Sequence, residues 1–313
     1  MGFAEEFEEA AAAAREKAFP AVVGIGTRWP SGSGFVLADG LVATNAHNVH
    51  SEHPEVHFAD HIRREATAVT ADRVGDLAVI KVSTEGTSPI EWGEGGPKIG
   101  TPVFAAANPG GRGLRLSFGM VSGFSRDFRG PGGHPISGGF EHTAPLPHGS
   151  SGGPVLTLSG ELLGINTKRL GEGLYAALLA VPSLRTRLEA LGKGEAVIRP
   201  YLGVGLLPGE VARRLRAAVG LPERDGVLVQ HLDDAGPAAQ AGVLKGDLLT
   251  RANGQALSRA ADLHRVLGSS KPGDQLELEI VRGAEERQIK VALGTEPERS
   301  ESEIHGRRHH RRR

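Results

Sequence analysis

The chain has 313 residues, 39% of them hydrophobic and only 4% aromatic, with 36 Lys and Arg against 37 Asp and Glu. This is a globular profile, long enough for two domains whose cores are built of Val, Leu, Ala and Ile. The absence of cysteine excludes disulfides, thiolate zinc sites and a cysteine nucleophile; five arginines sit in the last nine residues, HGRRHHRRR, so the rest is net acidic and specific nucleic-acid binding is excluded by charge.

Along the chain, residues 3–18 read as a helix rich in Ala, Glu, Lys and Arg and stopped by Pro20, with Phe3, Phe7, Ala10, Ala11 and Ala14 on one side. No basic stretch followed by an apolar one opens the sequence, and no apolar run reaches membrane-spanning length. As written, the chain is expected in the cytoplasm, or in the periplasm or medium if a leader was trimmed. From Ala21 the pattern becomes short β-prone runs (VVGIG, GFVLADGLVAT, EVHF, LAVIKV, PVFAAA, LRLSFGMVSGF, PVLTLSGELLGI) with hairpin signals at Asp39-Gly40 and Ser159-Gly160. Gly- and Pro-rich loops interrupt it at 108–114 and 125–139, and the helix SLRTRLEALGKG closes it near Gly194.

After the link IRP, a second unit starts at Tyr201 and alternates strands (YLGVGLL, GVLVQHL, DLLTRANGQ, DQLELEIVR, RQIKVAL) with helices (GEVARRLRAAVG, GPAAQAGV, RAADLHRVLG). The expected division is an N-terminal helix over 1–20, a β-rich domain over 21–194, a small α+β domain over 199–294 and a disordered basic, His-containing tail over 295–313.

The stretch GSSGGPV, residues 149–155, poses the chemical question. A serine becomes a nucleophile only when a base takes its proton and a third group orients that base. His47 closes LVATNAH among small neighbours, and Asp76 opens DLAVIKV. His47, Asp76 and Ser151, in that order on a β-rich unit, follow the chymotrypsin-like arrangement. Gly149 permits a turn whose own N–H and that of Ser151 form an oxyanion hole. Gly152 and Gly153 are expected to clear space for substrate backbone, and Ser150 to be structural.

The blocks SGSGFVLADGLVATNAH, DLAVIKV and GSSGGPV resemble the three signatures of the HtrA/Deg serine proteases, and NPGG, SFGMVSG, GINT and AVPS fall in order at the family's other landmarks. YLGVGLL, GVLVQHL, GPAAQAGVLKGDLLTRANGQ and KPGDQLELEIVR are similar to that family's PDZ domain. The resemblance spans roughly residues 18–294. It departs at Ser150, at Pro147-His148 and at Asn48, where the family often has Asn, Asn-Pro and Val; none removes a triad member.

The resemblance implies a mainly β chain: a chymotrypsin-like double β-barrel protease domain followed by a small α+β PDZ domain. It implies an ATP-independent endopeptidase acting on misfolded or regulatory proteins, assembled as a homotrimer through the N-terminal segment. The alternative is a peptide-binding scaffold or holdase with a latent protease domain. The primary pocket is expected from Pro145 and Leu146, six and five residues before the nucleophile, with Ile165, Asn166 and Thr167 as a wall. With no carboxylate at its base, cleavage follows small or medium apolar residues. In the PDZ domain, Tyr201, Leu202, Gly203 and Val204 resemble the loop that captures a peptide's C-terminal carboxylate, and Leu263, Val266 and Leu267 form the groove's apolar wall. The loop at 125–139 is expected to carry a signal to the oxyanion turn. The chemistry needs no cofactor and no metal. The run HNVHSEHPEVHFADH does not repeat a zinc spacing, and its histidines are expected on the surface.

Overall fold

The computed structural model describes residues 2–26, 31–124, 128–129, 135–136, 138–195 and 198–295. Two compact units divide between residues 197 and 198. The tail beyond Thr295 lies outside the described residues, as does most of 125–139.

In the first unit, helix α1 (Phe3–Ala18) has Glu5 and Glu6 in its first turn and Arg15 and Lys17 in its last, charges that suit the helix dipole. A 3₁₀ turn through Pro20 ends it. Part of its apolar stripe is covered within the chain. Ala14 and Ala18 are buried, Phe7 and Ala11 pack on the main core, and the Phe7 ring meets Phe118 edge-on at 4.7 Å. Lys17 pairs with Glu91 at 2.8 Å.

Seven strands follow: β1 (Val22–Ile25), β2 (Gly32–Ala38), β3 (Leu41–Thr44), β4 (Glu55–His57), β5 (Arg63–Glu65), β6 (Ala68–Asp72) and β7 (Leu77–Lys81). They form one antiparallel sheet in the order β5-β4-β1-β2-β3-β7-β6. Strands β8 (Pro102–Ala107) and β9 (Arg115–Gly123), the small pair β10 (Phe128–Arg129) and β11 (Pro135–Ile136), β12 (Gly139–His142), β13 (Pro154–Leu156), β14 (Leu162–Gly171) and β15 (Leu174–Leu179) come next. Six of these close a barrel, β12-β15-β14-β13-β8-β9, which leaves it no open edge. Helix α2 (Pro182–Gly192) starts on a proline at its first position and turns Leu184, Leu188 and Leu191 inward. Its Arg187 reaches the buried Asp72 of β6 at 2.7 Å. The core joins residues of both β layers, among them Phe35, Val42 and Ile80 with Phe104, Leu156 and Ile165.

The second unit contains β16 (Pro200–Tyr201), β17 (Val204–Leu207), α3 (Gly209–Ala218), β18 (Val227–Leu232), α4 (Pro237–Gln240), β19 (Leu248–Ala252), β20 (Gln255–Ala256), α5 (Ala260–Gly268), β21 (Gln275–Arg282), β22 (Glu285–Ala292) and β23 (Gly294–Thr295). The main path is β17-β18-β19-β21-β22, with β20 on β19. Asp247 and Arg282 staple β19 to β21 through two bonds of 2.8 Å. Thr295 pairs with Pro200, which brings the two ends of the unit together.

The fold is thus mainly β, a trypsin-like first unit with barrel-like sheets ahead of a small α+β unit.

Candidate active site

His47 lies not in a strand but in a 3₁₀ turn, Ala46–Asn48, directly after β3. Asp76 closes the turn before β7 with φ of +53°, a left-handed conformation that Asp tolerates better than most residues. Asn45 Nδ2 donates to the Asp76 carbonyl at 2.9 Å. Because β3 and β7 are paired neighbours, with Thr44 opposite Ala78, the strand ends bring the two side chains together. His47 Nδ1 lies 2.9 and 2.8 Å from the two Asp76 carboxylate oxygens, and the His47 backbone N–H donates to the same carboxylate at 3.0 Å. An acceptor on Nδ1 fixes the tautomer with hydrogen there and leaves Nε2 free to accept a proton. Asp76 is 2% exposed, so its carboxylate is shielded from water.

Ser151 sits in the turn between β12 and β13. Gly149 has φ of +86°, and a Cβ there would crowd Pro109 at 3.1 Å and the Ser31 carbonyl at 3.2 Å, so glycine is required. Ser33 Oγ ties this turn down, accepting the Asn108 N–H at 3.0 Å and donating to the Gly149 carbonyl at 2.9 Å. Among the described residues, neither the Gly149 N–H nor the Ser151 N–H donates to a protein acceptor. The Ser151 carbonyl accepts from the Ser33 N–H at 2.9 Å and from Asn48 Nδ2 at 2.8 Å. Ser150 is buried and bonds the Pro147 carbonyl at 2.8 Å. Gly152 and Gly153 do not clear a path for substrate. A Cβ on Gly152 would run into the Ser33 carbonyl and Thr44 Oγ1, and one on Gly153 into the Ala106 carbonyl. They are small because the turn is pressed between the two β layers.

The Ser151 hydroxyl does not bond His47. It donates to the Thr167 carbonyl at 2.9 Å. A register shift in the β14–β15 ladder between Asn166 and Lys168 accommodates Thr167 as an extra residue, and such bulges re-aim backbone groups. Asn166 braces the other side. It accepts from the Gly152 N–H at 2.7 Å, and its amide donates to the Gly153 carbonyl at 3.1 Å. Its Oδ1 accepts from His142 Nε2 at 2.8 Å. His142 is wholly buried, stacks on Tyr175 at 5.6 Å, and has its pKa pushed by burial down to about 4.

A cavity of about 370 Å³ opens over Ser151. Leu146, Asn166 and Thr167 line it, together with Tyr175 and Ala176. Pro145 is exposed and outside the lining, and Ile165 is fully buried in the core; the pocket begins one residue later on each segment than the spacing implied. The His-rich run also differs from expectation. His50, His53 and His61 are exposed, but His57 is buried, its ring against Gly111, where any Cβ would collide with it. Among the described residues no cluster of three or more His, Asp or Glu could hold a metal.

Residues 32–165 match the trypsin-like peptidase domain family and residues 200–293 the PDZ domain family. A probable periplasmic serine endoprotease DegP-like from Ectopseudomonas mendocina is 33% identical over 278 residues, covering 85% of this chain and 57% of that protein. The chain joins a trypsin-like peptidase domain to a PDZ domain and is similar to DegP-like serine endoproteases. A second relative, protease Do-like 1, chloroplastic, of Arabidopsis thaliana, is 32% identical over 86% of this chain and 65% of its own length. The chain therefore spans between half and two thirds of these HtrA/Deg relatives. Among solved structures, the HtrA-type protease AlgW with tripeptide superposes with a TM-score of 0.75 at 26% identity, over 92% of this chain and 98% of that one. The serine endoprotease from Yersinia pestis gives 0.72 at 24% identity, over 91% and 98%, and shows the shared fold.

In this chain the second unit offers a turn at Gly203, φ +84°. Among the described residues the Leu202 and Gly203 N–H groups donate to no backbone acceptor. Tyr201 Oη donates to Asp233 at 2.9 Å, and the Asp233 N–H bonds the Gly203 carbonyl at 2.9 Å. Val204 begins β17, a sheet edge whose strand partner is β18. Leu263 and Val266 are 3% and 5% exposed and belong to the domain's own core, as does Leu202 at 2%. Of the three helix residues expected to wall a groove, only Leu267 is half-buried.

Proposed function

We propose that the chain is an ATP-independent serine endopeptidase in which Ser151 attacks a peptide carbonyl. The observation that carries this reading is the His47–Asp76 pair beside a serine whose turn keeps two N–H groups uncommitted. His47 Nε2 takes the Ser151 proton, Oγ bonds the carbonyl carbon, and the imidazolium is stabilised by Asp76. His47 then gives its proton to the leaving amine, and a water repeats the sequence on the acyl-enzyme. The Gly149 and Ser151 N–H groups serve the oxyanion, each worth about 3 kcal/mol in the transition state.

The resting bond from Ser151 to Thr167 is a small obstacle. Reorienting Oγ toward His47 gives up one hydrogen bond with a net worth of about 1 kcal/mol. Gains of the size expected from the oxyanion hole exceed this, so the geometry supports an enzyme rather than a holdase with a permanently latent centre.

The pocket of Leu146, Tyr175 and Ala176 has no carboxylate and favours cleavage after small or medium apolar residues such as Val, Ala or Leu. The substrates are misfolded or regulatory proteins, with peptide C-termini taken up at Gly203 by the uncommitted N–H groups and extended along the β17 edge. The assembly is a homotrimer. Because Phe7, Ala11, Ala14 and Ala18 of α1 already pack on the core of their own chain, the contacts draw on exposed apolar side chains such as Phe118, Met120 and Phe124, 44%, 49% and 47% exposed. No described helix is long and apolar enough to cross a membrane. A chain without cysteine tolerates any redox compartment, and the relatives' names support a site outside the cytoplasm, to be checked by fractionation.

Degradation of unfolded casein tests the activity. Ser151→Ala is expected to lower the rate on the order of a millionfold, and Ser150→Ala less than about tenfold, since it loses one bond to Pro147. Mapped cleavage sites dominated by Lys and Arg, or equal loss in both variants with folding intact, overturn the assignment.

A further inference from the structure

Asn48 joins the turn of the base to the turn of the nucleophile. It follows His47 directly in the 3₁₀ turn Ala46–Asn48, and its Nδ2 donates to the Ser151 carbonyl at 2.8 Å. The same nitrogen lies 3.0 Å from Thr44 Oγ1. The Thr44 hydroxyl already uses its hydrogen on the Ser33 carbonyl at 2.6 Å, so toward Asn48 it only accepts. The two hydrogens of one amide nitrogen serve both acceptors. Asn48 is 6% exposed and closely fitted. A Cβ on Gly32 would collide with its amide, and one on Gly152 would come within 2.9 Å of Nδ2.

The contact fixes the peptide that follows Ser151. Its carbonyl accepts from Asn48 and from the Ser33 N–H at 2.9 Å, and its N–H, that of Gly152, donates to the Asn166 carbonyl at 2.7 Å. Held on both sides, this peptide stays in place when Oγ leaves the Thr167 carbonyl for His47. Ser33 and Asn166 tie it to strands, whereas Asn48 ties it to the residue next to the base. The positions of His47 Nε2 and Ser151 Oγ are thereby coupled, and a misplacement of about 1 Å between reacting groups can cost on the order of a hundredfold in rate. Polar satisfaction does not require the contact. Without the amide, the Ser151 carbonyl keeps the Ser33 N–H, and the Thr44 hydroxyl keeps the Ser33 carbonyl. Neither group is left buried without a partner, the condition that makes the loss of a hydrogen bond costly to folding.

Resting on the protease reading above, we propose that Asn48 is a positioning residue for the reaction: through the Ser151 carbonyl it holds the nucleophile in line with the base. Its amide touches neither substrate nor the reacting atoms. It acts on the transfer of the Ser151 proton to His47, and so on the formation of the acyl-enzyme, while substrate binding and the His47–Asp76 pair stay as they are.

The test uses Asn48→Leu and Asn48→Asp in the full chain, two substitutions that keep the side chain's shape and remove its donor. With a fluorogenic peptide carrying Val before the scissile bond, kcat on the plateau of the pH profile is expected to fall about ten- to hundredfold, with KM within about twofold. Fluorophosphonate labelling of Ser151 is expected to slow by the same factor. The urea midpoint is expected to hold in Asn48→Leu, and the NMR resonance of the His47 Nδ1 hydrogen to persist, because Asp76 still binds it. A merely structural role would move the midpoint and leave the kcat-against-KM split unmoved. A kcat within about twofold of the native chain in both variants, or a raised KM with kcat unchanged, overturns the proposal and leaves the protease reading intact. Failure of both variants to fold, read by circular dichroism, also overturns it, since Asn48 is then structural. A native chain that neither cleaves the peptide nor takes the label sinks the protease reading and the proposal with it.

Discussion

The residues that hold the nucleophile turn are as telling as the three that would react. Asn48 and Ser33 grip the Ser151 carbonyl, and Asn166, steadied by His142, grips the Gly152 N–H and the Gly153 carbonyl. The sequence points to His47, Asp76 and Ser151 because the chemistry restricts residue type and the flanking blocks are distinctive. It does not show the bracing roles of Asn48, Asn166 and His142, because the groups they hold are distant in the chain; Asn48 and Ser151 are 103 residues apart. Buried His142 has a measurable consequence. Its native pKa, about 4, is below the ordinary 6.5, so as pH falls the unfolded chain binds the proton first. Stability from this source is intact above pH 6.5 and declines between 6.5 and about 4. His57, also lowered by burial, acts in the same direction. Denaturant unfolding at pH 7 and pH 5 is expected to differ by about 2 kcal/mol on account of His142, and His142→Gln to reduce the difference. An unchanged pH dependence in that variant contradicts the assigned burial.

At the scale of elements, the first helix shows where pattern and packing part company. Its stripe is legible as helical spacing, but spacing cannot say what covers it. The structure places it on Phe104 and Phe118 of the same chain. Phe7→Ala is therefore expected to destabilise the protomer itself by about 2 kcal/mol, less than for a fully buried Phe because Phe7 is only half-buried. Arg187 fixes α2 to β6 through a carboxylate that is 1% exposed, while its own side chain is 35% exposed. Arg187→Ala leaves that carboxylate short of its cation, at an expected cost of about 1–3 kcal/mol, reduced by solvent access on the Arg side. Urea titration measures both, and a loss below about 0.5 kcal/mol in either speaks against the packing described. The strands are largely readable as short β-prone runs and from turn pairs such as Asp39-Gly40 and Ser159-Gly160. The bulge at Thr167 is not, because it is created by the competing pairings of β14 with β13 and β15.

For the whole molecule, two units of separate function are expected to answer to separate probes. A peptide with an apolar C-terminal residue is expected to bind the Ser151→Ala chain, and amidation of its terminus to weaken binding at least about tenfold, since the loop at Gly203 offers N–H groups to a carboxylate. Equal affinity by calorimetry rules out that capture mode. The groove wall was only partly legible in the sequence: an i, i+3, i+4 set marks one face of α5 but does not say whether that face meets a ligand or the domain's own core, and Leu263 and Val266 meet the core. The central claim, that Ser151 is a nucleophile activated by His47 and Asp76, is tested most directly by fluorophosphonate labelling of the full chain with the adduct located by mass spectrometry. The account predicts one adduct, on Ser151, absent in heated protein, lost in Ser151→Ala, strongly slowed in His47→Ala and retained in Ser150→Ala; no adduct on the native chain, or an adduct on Ser150, contradicts it.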